Sequence, residues 1–132
     1  MIAVRHLLLA AAVLLTVDSA SVCAQSDLAM VGRAQEAGVA LAQGNPQQAI
    51  ALYGEALKER SLTNERRSSL HNDRGVAYWR ARQHKAAIED FNRAIILLPE
   101  ASAAYNNRGI VLQALDLVAE AIKDFDRAII LT

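Results

Sequence analysis

Cysteine is nearly missing from this 132-residue chain: Cys23 is the single one. A disulfide framework within the chain and a cysteine-rich metal site are both excluded. Proline occurs twice, at Pro46 and Pro99, and aromatic residues make up 5% of the sequence. Charge has no excess of either sign, with 14 basic and 14 acidic residues. A nucleic-acid or anionic-membrane partner, which favours a basic surplus, gains no support from that balance. The only long apolar run extends from Leu7 to Val17. That is short of the roughly 20 residues a membrane-spanning helix needs.

That run sits in a three-part N-terminal layout. Met1 to His6 is short and weakly basic, Leu7 to Val17 is apolar, and Ser19 to Ala24 is small and mostly polar. This is the arrangement of a secretory signal peptide. Val22 and Ala24 stand three residues and one residue before a cut at Ala24/Gln25, so residues 1–24 are read as a leader and 25–132 as the mature domain. Removing the leader deletes Arg5 and Asp18, which leaves the charge balanced. A second reading makes Cys23 the lipidated first residue of a lipoprotein, although Val22 and Ala20 fit that pathway poorly. A third keeps the segment as an uncleaved helix. The expected location is the periplasm or the cell exterior.

Beyond the leader, an internal repeat sets the architecture. Sliding the chain along itself until Ser68–Leu98 lies over Ser102–Thr132 makes 13 of the 31 pairs identical. Among them are Asn72/Asn106, Arg74/Arg108, Gly75/Gly109, Ala87/Ala121, Asp90/Asp124, Phe91/Phe125 and Ala94/Ala128. Ala87, Phe91, Ala94 and Ile95 recur at intervals that place them on one stripe of a helix. Small residues at 75, 87 and 94 allow two antiparallel helices to approach closely. Tyr78 and Phe91 are expected to fill the wider gap to the adjacent unit. Pro99 stops the second helix of that unit. An earlier unit starts near Met30, with a Gly44-Asn45-Pro46 turn and Ala49, Ile50, Tyr53 and Ala56 at the same spacing. Its link to the next unit carries four extra residues, Asn64 to Arg67.

The periodicity predicts six helices, near 27–42, 46–60, 65–81, 84–98, 102–115 and 118–131, with no strand. The residues Tyr105, Arg108-Gly109, Leu112, Ala121, Phe125 and Ala128 resemble the tetratricopeptide repeat family, and His71, Arg74-Gly75, Tyr78, Ala87, Phe91, Ala94 and Pro99 match it in the middle unit. His71 departs from an aromatic position and both arginines from a leucine. The resemblance implies an all-α, right-handed α-α superhelix of about three helix-turn-helix repeats, near 30–63, 68–101 and 102–132.

No constellation for chemistry stands out. His71 and His84 lack the spacing and glutamate partner of a zinc motif, and no glycine-rich loop precedes a helix. No cofactor and no catalytic residue are expected. Asp124, Asp126 and Glu120, or Glu89 and Asp90, read as solvated helix-face charge among lysines and arginines. Arg74 precedes Asp90 by the same interval that separates Arg108 from Asp124. That recurrence suggests an Arg-Asp pair bridging the two helices of a unit; ligation of an acidic partner is the other reading.

In the family the first helices of successive units line a concave groove, where asparagines hold an extended peptide. Matching positions here are Gln35, Asp73 and Asn107 in one column, Asn72 and Asn106 beside it, and Val76, Trp79, Ile110 and Gln113 further along. Trp79 reads equally as a binding hot spot or as a filler between helices. Chaperone-binding members grip a terminal carboxylate with a lysine, asparagine and arginine clamp. The matching sites carry Ala34, Gly38, Asp73 and Ala103, and only Asn107 conforms. The resulting expectation is a non-catalytic scaffold for a protein or peptide partner. The alternative is the N-terminal repeat part of a longer envelope-assembly factor or enzyme. Ile122, Phe125, Ile129 and Ile130 are expected to form an apolar strip on the final helix, covered by a partner helix or by self-association, unless the sequence is a fragment of a longer chain.

Overall fold

The computed structural model describes residues 19–132. Residues 1–18, most of the segment read as a leader, lie outside the described residues. Six helices follow one another: α1 Ser19–Ala42, α2 Pro46–Ala56, α3 Asn64–Arg80, α4 His84–Leu97, α5 Ser102–Ala114 and α6 Val118–Ile130. No strand occurs among the described residues. The helices pair as hairpins, α1 with α2, α3 with α4 and α5 with α6, and the hairpins stack through α2 on α3 and α4 on α5. The result is an all-α superhelix of three repeats. No helix of the described residues is long and apolar enough to cross a membrane.

Each hairpin turns at a residue in the left-handed region: Gly44 at φ 79°, Arg82 at φ 63° and Asp116 at φ 63°. These three positions coincide when the repeats are superposed. Only the first is a glycine, so the other two turns hold a side chain in a conformation that costs about 1–2 kcal/mol. Asn45 and Pro46 then start α2 with proline at its first turn, where its missing N–H leaves no bond unmade.

Two boundaries, the end of α2 and the start of α1, differ from the sequence reading by more than one residue. α2 ends at Ala56, four residues early. The guanidinium of Arg67 donates to the carbonyls of Leu57 at 3.3 Å and Glu59 at 2.8 Å, which satisfies the turn that follows. Residues Asn64 to Arg67 are the first turn of α3 and lengthen that helix. Thr63 caps it, with Oγ1 accepting from the Arg66 amide at 3.3 Å. At the other end α1 already includes Ser19–Ala24, all exposed, and its first buried residue is Met30.

The core forms two clusters. One joins α1, α2 and α3 around Ala37, Ala49, Tyr53, Ala56 and Leu70. The other joins α3, α4 and α5 around Ala87, Phe91 and Val111. Alanine dominates because it lets helix axes approach and leaves the aromatic ring to fill what remains. Phe91 takes both roles available to it. A Cβ added at Gly75 would lie 2.6 Å from its ring, so Phe91 closes its own hairpin as well as the joint to the next.

Candidate peptide-binding face

An arginine where the repeat usually places an apolar residue makes sense only with its partner. Arg74 on α3 donates from Nε to Asp90 Oδ2 at 2.6 Å and from Nη2 to Oδ1 at 2.9 Å. Arg108 on α5 holds Asp124 in the same way, with both bonds at 2.7 Å. Asp90 is fully buried and Asp124 is 6% exposed. The reading of these two aspartates as solvated charge is therefore corrected: a carboxylate removed from water needs this bidentate pairing. Glu89, Glu120 and Asp126 are exposed, as that reading has them. With their forks spent on aspartates, Arg74 and Arg108 act as braces within a hairpin.

Asp90 has a third and a fourth donor that the sequence did not announce. His71 Nδ1 stands 2.9 Å from Oδ1, where an N–H on that nitrogen donates to the carboxylate, and Arg93 Nη1 donates at 3.2 Å. Burial is the largest single influence on the carboxyl and pushes its pKa up. The hydrogen bonds from Arg74 and His71, with their charges, outweigh it and hold the group below its ordinary value.

On the first helices the polar side chains form a row. Asn107 Nδ2 on α5 donates to Asn72 Oδ1 on α3 at 2.9 Å, and Asn72 Nδ2 donates to Asp73 Oδ1 at 3.3 Å. The row crosses from one repeat to the next along the side where α3 and α5 touch. All three side chains are half-buried. Burial pushes the Asp73 carboxyl above its usual range, with Asn72 opposing more weakly. Tyr53 of α2 is pushed up as well, by burial first and by the Asp73 carboxylate second. A carboxylate with one side-chain donor is thus set among amides beside a phenol, an arrangement that accepts hydrogen bonds or positive charge.

The remaining residues proposed for this face are placed unequally. Asn106, Ile110 and Gln113 on α5 are exposed, Ile110 by 40%. Gln35 lines a shallow cleft of α1 and α2 with Glu36, Val39, Gln43 and Gln48. Val76 and Trp79 are half-buried against the cluster of Ala87, Phe91 and Val111, and the Trp79 ring tilts against His84 with centroids 4.8 Å apart. That is the geometry of a filler between helices. Among the described residues no group of three or more histidine, cysteine, aspartate or glutamate side chains could hold a metal ion.

Residues 35–102 and 72–132 match the model of the tetratricopeptide repeat. No curated protein matches the chain at a significant level. Among solved structures, the second repeat domain of Spaghetti (RPAP3) bound to the HSP90 peptide SRMEEVD is similar with a TM-score of 0.73 at 21% identity, over 84% of this chain and 98% of that one. The first repeat domain of the same protein, bound to the same peptide, gives 0.71 at 26% identity over 79% of each chain. The Sgt2 repeat domain from Aspergillus fumigatus gives 0.71 at 24% identity, covering 77% of this chain and 65% of that one. With two overlapping matches that span residues 35–132, this chain belongs to the tetratricopeptide repeat family.

Proposed function

We propose that this chain is a non-catalytic interaction module of the periplasm or cell exterior, holding a peptide or partner segment along the side formed by α3 and α5. The observation that carries the reading is the Asn107–Asn72–Asp73 row, which presents amides across a repeat boundary. Amide side chains can grip the N–H and C=O groups of an extended backbone without demanding a particular sequence. The module function rests also on solved relatives of this fold, two of which hold the peptide SRMEEVD.

The ligand class we infer differs from theirs. SRMEEVD is acidic and ends in a free carboxylate, whereas of the sites a carboxylate clamp would use only Asn107 conforms and the others carry Ala34, Gly38, Asp73 and Ala103. A neutral or basic segment, internal to its own chain, suits Asp73 better.

Export rests on the layout of residues 1–24. A cut at Ala24/Gln25 would remove only exposed residues from the start of α1, and mass measurement of the native protein tests it. A photo-crosslinking residue at Ile110, compared with one at Ile96 on the outer side of α4, tests the site. Crosslinks to another polypeptide from 110 and not from 96 are expected; the reverse would place binding elsewhere.

A further inference from the structure

The packing of α5 on α4 is a template for what the outer face of α6 accepts. Superposing the last two repeats puts Ile122, Phe125 and Ile129 in the places of Ile88, Phe91 and Ile95. Under α5, Phe91 is 1% exposed and Ile88 and Ile95 are half-buried. On α6, Ile122 is 53% exposed, Ile129 is 73% exposed and Phe125 is partly so. Ile130 does not belong to this strip, because its counterpart Ile96 stays 78% exposed with α5 in place.

One polar position within the face specifies its occupant. Arg108 Nη1 of α5 donates to Asn92 Oδ1 of α4 at 2.6 Å. One repeat earlier, a Cβ at Gly54 would lie 3.7 Å from Arg74 Nη1. Positions 54, 92 and 126 correspond, so each incoming helix lays a guanidinium over this point. On α6 the residue there is Asp126, an exposed carboxylate. The face of α1 that no other helix of the described residues covers would not complement it: at the place of Arg108 it carries Glu36, also exposed. A second copy stacked in the same register would set Glu36 against Asp126, and like charges at a joint oppose association.

We propose that the outer face of α6 docks an amphipathic helix other than α1 of a second copy, carrying Arg or Lys over Asp126 and aliphatic residues three and four positions later over Ile122 and Ile129. Arg108, Val111 and Leu112 of α5 have that spacing and supply the probe. The proposal is independent of the α3/α5 face. A labelled, acetylated and amidated peptide of residues 101–116 is titrated into the full chain by fluorescence anisotropy, beside the same peptide with Arg108→Glu. The arginine peptide is expected to bind, and the glutamate peptide to bind about threefold to tenfold more weakly. Asp126→Arg in the protein should reverse the preference. Ile122→Glu with Ile129→Glu should abolish both, with circular dichroism unchanged because these side chains are exposed. Absence of binding by both peptides, or binding indifferent to Asp126 and Ile122, would overturn the proposal. So would sedimentation showing an oligomer that Ile122→Glu dissolves, which would give the face to a second copy.

Discussion

Arg108 and Asp124 meet across the α5–α6 hairpin through two hydrogen bonds of 2.7 Å, and Arg74 and Asp90 repeat the contact in the preceding hairpin. Such a pair fixes how one helix sits against the next, because the planar fork tolerates little rotation. It also makes stability depend on both partners being present.

Asp90→Ala is therefore expected to destabilise the chain by about 3–5 kcal/mol, since it strands Arg74 and His71 in a half-buried site. Arg74→Leu combined with Asp90→Leu should recover much of that loss. Urea unfolding of the three proteins reads the difference. A single-variant loss under about 1 kcal/mol would mean that the pair behaves like an exposed one.

Asp73 and Asp90 should respond to pH in opposite ways. The folded pKa of Asp90 is lowered, so its contribution is present above the unfolded value of about 3.9 and is lost as pH falls through the folded value. The folded pKa of Asp73 is raised, so folding disfavours its ionised form and stability is lost as pH rises from the unfolded value through the folded one. Asp73→Asn should accordingly stabilise the chain at neutral pH, with the gain vanishing under acid conditions. Melting curves of both proteins across that range check it; a gain that persists unchanged in acid would remove desolvation as the cause.

Gly75 and Gly109 occupy equivalent places, yet alanine should be tolerated better at the second. A Cβ at Gly75 would stand 2.6 Å from the Phe91 ring, and at Gly109 2.7 Å from the Phe125 ring. Phe91 is enclosed, whereas Phe125 is partly exposed and can swing aside. Gly75→Ala is expected to cost about 1–3 kcal/mol and Gly109→Ala less. Equal losses in thermal unfolding would contradict this difference in freedom.

Much of this was legible in the sequence because repetition exposes what matters twice. Laying one repeat over the next shows the glycine, the arginine and the aspartate together, and the equal separation of arginine from aspartate in both suggests the pairing. Features present once escape that comparison. His71 aligns with Tyr105, so it looked like a departure from an aromatic position when it is a donor to Asp90. The bond from Asn107 to Asn72 joins two columns that helical spacing keeps apart, and only the stagger of α5 on α3 brings them within 2.9 Å. The burial of Asp90 and Asp124 was hidden for a related reason: both sit among exposed charges in the sequence, and only the hairpin crossing separates them from water.

The peptide-binding claim is tested most directly by selecting a phage-displayed random heptapeptide library, flanked on both sides, against the purified chain. Selected peptides are then titrated into the wild type and into Asn72→Ala with Asn107→Ala. The account predicts enrichment of neutral or basic sequences that need no free carboxylate. It also predicts at least about tenfold weaker binding by the double variant, with helicity retained. Enrichment of acidic sequences, or affinity unchanged by the two substitutions, would contradict it.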